Sequence, residues 1–102
     1  MDRLKEIVRE EVAWYGSGGG VHHRSYATLD DIQGIYSVNT IGDPGYEYAT
    51  RLVMLARIVG DKVIIEYDNT NRPLYESLMY AGIPREQIIL AYEGEPIPES
   101  AK

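Results

Sequence analysis

Hydrophobic positions recur along this chain in distinct rhythms, and each rhythm predicts an element. Residues 2–15 set Leu4, Ile7, Val8, Val12 and Tyr15 three and four apart, with Arg3, Lys5, Glu6, Arg9 and Glu10 on the other side. That spacing predicts an amphipathic surface helix. It stops at Gly16-Ser17-Gly18-Gly19-Gly20, where continued helix would be costly in backbone entropy, so the segment reads as a flexible hinge.

Beyond the glycines the rhythm changes toward alternation, imperfectly over 21–29 and more regularly over 32–41, where Ile35, Tyr36, Val38 and Thr40 favour extended chain. Asp30-Asp31 lies between the two stretches, which read as an antiparallel pair. Asp43-Pro44-Gly45 is a turn, because proline fixes φ and glycine accepts a positive one. Residues 46–59 fit two templates. Tyr48, Leu52, Leu55, Ala56 and Val59 make a helical stripe, yet Leu52-Val53-Met54-Leu55 and Ile58-Val59 also suit a doubly buried strand. Gly60-Asp61 tips the reading to strand, since a two-residue loop with glycine first fits a type II′ hairpin into residues 62–67.

Asp68-Asn69-Thr70-Asn71 offers side-chain acceptors for the free amides of a helix start, and Pro73 is tolerable only in a first turn. Leu74, Leu78 and Ala81 form its inward stripe. Gly82 suits a left-handed helix end, Ile83 can fold back, and Pro84 forbids continuation. A buried strand over 88–92 follows, and the long connection from 62–67 through the helix allows that strand pair to be parallel. The fold expected is α+β: an N-terminal helix, a mostly antiparallel sheet of strands 21–29, 32–41, 47–59, 62–67 and 88–92, and a second helix near 71–81 packed on one face. Residues 1–92 form a single domain in this reading. Residues 93–102, with Pro96 and Pro98 and little apolar content, form a flexible or partner-ordered tail.

Composition narrows the function. At 102 residues and 44% hydrophobic content the chain builds one thin core, which makes self-association or a stabilising partner an expectation. Without cysteine there is no disulfide, thiolate metal site or cysteine nucleophile. No signal core and no membrane-length apolar run occur, so a cytoplasmic location is expected. A formal net charge of −6 repels a phosphate backbone and suits docking onto a basic protein. Nine tyrosines, one tryptophan and no phenylalanine mark the aromatic usage. The simplest account is that these rings edge a small core; the other is a surface buried only part of the time.

Candidate chemistry adds little. His22 and His23, as strand neighbours, would point to opposite faces and could not share an ion, so no metal or other cofactor is expected. Gly18-Gly19-Gly20 follows a helix and precedes a strand, the wrong order for a phosphate cradle. Glu10-Glu11, Asp30-Asp31 and Asp68 could do acid-base work if burial raised a pKa, although solvated faces and turn chemistry explain them more cheaply. No serine sits in a nucleophile-elbow pattern. Arg51 and Arg57 would share a strand face as a small basic strip.

The block Gly60-Asp61-Lys62-Val63-Ile64-Ile65, Asp68-Asn69-Thr70 and Ala81-Gly82-Ile83-Pro84-Arg85-Glu86-Gln87-Ile88-Ile89-Leu90-Ala91-Tyr92 resembles the XisI-like family, the element-excision controlling factors described in cyanobacteria. Asp31-Ile32-Gln33-Gly34-Ile35-Tyr36-Ser37-Val38 resembles the family's acidic turn and tyrosine-containing strand. The chain departs from the pattern at Ile64-Ile65, where the family usually carries tryptophan, and so resembles a divergent member. The resemblance implies a compact α+β regulator without catalytic residues, acting beside a second, nuclease-like controlling factor and a recombinase. Three readings follow. The first is a non-enzymatic protein-binding module, with Tyr46, Tyr48, Arg51, Arg57, Glu93 and Glu95 as candidate contacts and Gly60, Asp61, Asp68, Thr70, Gly82 and Pro84 as structural positions. The second is direct DNA binding through Arg51, Arg57 and the His22-His23 strand, which a salt titration with duplex DNA would test. The third is a small carboxylate-based enzyme, which requires Asp30, Asp31 or Asp68 to gather beside a histidine in a pocket.

Overall fold

The computed structural model describes residues 3–98. Helix α1 (Arg3–Tyr15) leads into strands β1 (His23–Asp30), β2 (Ile35–Gly42), β3 (Arg51–Val59) and β4 (Lys62–Asp68), then helix α2 (Leu74–Tyr80) and strand β5 (Ile88–Leu90). The strands lie in chain order across one sheet. Three pairs are antiparallel and β4–β5 is parallel, as the helical connection between them permits. The α+β fold expected from the hydrophobic rhythm is therefore the one observed.

Both helices cover the same face of the sheet. Val8 and Val12 of α1 and Leu74 and Leu78 of α2 are fully buried with Tyr36, Val38, Met54, Ala56, Val63 and Ile65, and Ile83, Ile88 and Leu90 close the cluster. Burying a side chain of this size contributes roughly 1.5–3 kcal/mol, so this layer dominates stability. Asp31 ties α1 to the sheet: Arg9 pairs with its carboxylate at 2.8 Å, the Tyr36 hydroxyl donates to it at 2.8 Å, and Lys5 Nζ donates to its carbonyl. The Tyr15 hydroxyl joins the helices, donating to the Arg72 carbonyl at 2.7 Å beside Ser77 Oγ.

Residues 47–59 resolve into two pieces. Glu47–Ala49 makes one 3-10 turn, and the strand begins only at Arg51, where Thr40 and Arg51 pair across β2–β3. The β2–β3 register skips Val53 and the β3–β4 register skips Glu66, so each strand carries a bulge. Gly60 has φ of +61° and Asp61 a negative φ, the pattern of the expected type II′ turn.

Helix α2 starts three residues later than the sequence suggested because the acceptors are spent earlier. Asp68 Oδ1 accepts the Thr70 N–H and hydroxyl, and Asp68 Oδ2 reaches the Leu74 N–H at 2.7 Å. Pro73, at φ −56° and ψ 134°, is the residue before the first turn. The far end is a Schellman motif: Gly82 at φ +112° lets Ile83 N–H donate to the Leu78 carbonyl and Gly82 N–H to Met79. Ile83 folds back into the core, and Pro84, itself extended, precedes a 3-10 turn over Arg85–Gln87 that leads into β5.

Two further expectations need revision. The glycine segment is packed against β1: Ser25 N–H donates to Gly18, Gly20 N–H to His23, and a Cβ on Gly16 would sit 2.7 Å from the Ala27 Cβ. Strand β5 ends at Leu90, whose own amide is captured by Glu95, and residues 91–93 turn as a 3-10 helix. Glu95 accepts the Leu90 N–H at 2.8 Å and pairs with Arg85, so the chain is anchored at this point of the expected tail, while 99–102 lie outside the described residues.

Candidate functional site

Strand β1 enters the sheet directly above the loop that leads into β3, and this juxtaposition makes a hollow of about 420 Å³ lined by His22, His23, Thr40, Tyr48, Ala49 and Arg51 with Val21 at its rim. Its floor is set by hydrogen bonds. The Thr40 hydroxyl donates to the Ala49 carbonyl, Thr50 Oγ1 accepts the Gly42 N–H, and Asp43 N–H donates to the His22 carbonyl. His22 lies before the strand in a bend, so strand alternation does not apply to it and both histidines line the same hollow. The His22 ring stacks on Tyr46 at 3.8 Å between centroids, with Tyr48 6.1 Å further on.

Tyr48 is 80% exposed, which makes this ladder of rings the most accessible aromatic surface on that end of the sheet. An open hollow with ring faces and a guanidinium is chemically suited to gripping an acidic or aromatic side chain, through cation–π and charge-assisted hydrogen bonds. Among the described residues no group of three or more His, Cys, Asp or Glu side chains is arranged to hold a metal.

The sequence candidates divide by location. Tyr46, Tyr48 and Arg51 come together at the hollow. Arg57 does not join them. The bulge at Val53 breaks the alternation, so Arg51 pairs with Thr40 at the hollow while Arg57 pairs with Ile35 on the opposite face and binds Glu66 at 2.6 Å. The expected basic strip therefore does not form. Glu93 and Glu95 lie past β5 at the far edge, where Leu90 N–H and Arg85 hold the Glu95 carboxyl below its usual range.

The three carboxylates considered for catalysis are each spent on structure, at separate places. Asp30 accepts the Ile32 and Gln33 amides and the Gln33 side chain, and these bonds lower its pKa. Asp31 holds Arg9 and Tyr36, and Asp68 holds the start of α2. Burial and then the Asp31 carboxylate push the Tyr36 phenol far above its ordinary value.

Sequence reading missed two surfaces. Trp14 is 59% exposed with Arg72 over its ring at 5.5 Å. The helix-free sheet face carries Tyr26, Ile35, Ile41, Leu52 and Tyr67, all more than a third exposed. Its signal was present in β2, where apolar residues fall on both phases of the alternation: Ile35 and Ile41 on one, Tyr36 and Val38 on the other.

Residues 2–99 match the family described as XisI protein. The chain belongs to the XisI family. Two solved structures of Anabaena variabilis proteins share its fold. One is a XisI-like protein, 26% identical with a TM-score of 0.76, the alignment covering 86% of this chain and 83% of that one. The other is the fdxN element excision controlling factor XisI, 24% identical with a TM-score of 0.69, covering 89% and 87%. No curated protein matches the sequence. Among the described residues of this XisI family member no helix is long and apolar enough to cross a membrane.

Proposed function

We propose that this chain is a non-enzymatic regulatory module that binds a nuclease-like or recombinase partner in the excision of a DNA element. The observation that carries the reading is the exposed hollow lined by His22, Tyr48 and Arg51 at one end of the sheet, with Tyr46 stacked on His22. Membership of a family containing a structure named as an excision controlling factor supports the regulatory role. The engagement of Asp30, Asp31 and Asp68 in turns, an ion pair and a helix start favours binding over acid-base catalysis. In this reading Arg51 and the ring ladder receive an acidic or aromatic segment of the partner.

The test is affinity capture with the tagged chain from its own cells, run beside Tyr48→Ala and Arg51→Ala. A nuclease-like or recombinase protein retained by the parent and lost by both variants is the expected result. Retention unaffected by either substitution would contradict the assignment of the hollow. Direct binding to duplex DNA that weakens with salt would replace it by the DNA-binding reading.

A further inference from the structure

The sheet has two faces and only one is covered. On the open face the register of β1, β2 and β3 aligns Arg24 with Ile41, Tyr26 with Asn39 and Leu52, and Asp30 with Ile35. Tyr26 is 46% exposed, Ile41 48%, and Ile35 and Leu52 37% each. Four large apolar side chains on adjoining strands, with Thr28, Ser37 and Asn39 between them on the same face, make a mixed surface of the kind through which folded chains associate.

Charge identifies the occupant. The chain carries a net −6, so a nucleic acid is repelled overall, yet on this face β1 holds a cation and an anion at its opposite ends, while Arg57 beside Ile35 is paired with Glu66. Arg24 marks one end of β1 and Asp30 the other. A two-fold axis lying in the contact plane and perpendicular to the strands reverses strand direction while keeping strand order. It therefore sets Arg24 of one copy over Asp30 of the other, twice, and Ile35 of one over Ile41 of the other, twice. The pattern is self-complementary, as an isologous interface demands.

We propose that the helix-free face is the interface of a symmetric homodimer, closed by two Arg24–Asp30 contacts and by apolar contacts of Ile35, Ile41, Tyr26 and Leu52. With Tyr67 carrying the face onto β4, four strands at about 4.8 Å spacing and about 23 Å of strand length give on the order of 900 Å² over both copies. That is the size of a weak, reversible contact, so the dimer should form only toward the upper part of the concentration range tested. The hollow with Arg51 lies at the other side of the sheet and stays open in such a dimer. The inference goes beyond the regulatory reading and does not depend on it.

Sedimentation velocity of the full chain, from about 1 to about 500 μM, tests it, with far-ultraviolet dichroism as the check on folding. The parent should pass from monomer to dimer across that range. Arg24→Glu, which sets like charges together twice, should raise the dissociation constant at least roughly tenfold, and Arg24→Lys should change it less than about threefold. Ile41→Ser provides a second, uncharged break should Arg24→Glu fold poorly. A parent that stays monomeric at the highest concentration overturns the proposal. A dimer that persists unchanged in Arg24→Glu and Ile41→Ser overturns it as well, because association would then use another surface. Failure of the parent chain to capture a nuclease-like or recombinase partner, with the dimer intact, would count against the regulatory reading alone.

Discussion

The two faces of the sheet use the same kinds of side chain for different ends. Under the helices Tyr36, Val38, Met54 and Ala56 are essentially inaccessible, and Asp31 ties α1 to Tyr36 in the same layer. On the open face Ile35 and Ile41, one residue out of phase with that core on the same strand, stay 37% and 48% exposed. Among the described residues only Ile64 is fully buried there, between Arg57 on β3 and Ile89 on β5, with an ion pair from Arg57 to Glu66 beside it. Period-two alternation in β2 thus divides folding from association within eight residues. One phase is committed to the core, and the other is the one that the proposed dimer would cover.

Breaking the covered face should have the largest effect. Leu78→Ala removes a fully buried side chain from α2 and should destabilise the monomer by about 2–5 kcal/mol in urea unfolding. Next comes the start of α2. Asp68→Ala frees the Leu74 and Thr70 amides and should cost about 1–2 kcal/mol by the same measurement.

A pH titration sharpens the comparison at Tyr36. Its folded pKa is raised by burial first and by the Asp31 carboxylate second, so the fold favours the protonated phenol. The associated stability is complete below the unfolded value of about 10 and is lost as pH climbs from there toward the folded value. Unfolding midpoints followed upward from neutral pH should fall in the parent and fall less steeply in Tyr36→Phe. The smallest effect belongs to the open face. Ile41→Ser should move monomer stability by no more than about 0.5 kcal/mol, measured at a concentration where association is negligible. A loss comparable to Leu78→Ala would mean that the face supports the fold directly.

Much of the covered face was legible in the sequence. The stripe Leu4, Ile7, Val8, Val12, the Gly60-Asp61 turn and the Leu74, Leu78, Gly82, Ile83, Pro84 sequence each carry a local rule that the tertiary structure obeys. What the sequence concealed depends on register. The bulge at Val53 reverses the phase of β3, so Arg51 and Arg57, six residues apart, end on different faces, which no count along the chain could reveal. The hollow was half visible. Tyr46, Tyr48 and Arg51 stood out as an aromatic and basic cluster, but the approach of His22 needs the turn that folds residues 43–49 back beneath β1. Glu95 escaped notice as an anchor because its partners, Leu90 and Arg85, are brought to it by a 3-10 turn with no strong signature.

Thermal unfolding measured over about a hundredfold range of concentration tests the division of labour between the faces most directly, since anything that binds only the folded chain raises its midpoint by mass action. The account predicts a midpoint that climbs with concentration in the parent and stays level in Ile41→Ser. A parent midpoint that does not move would contradict it.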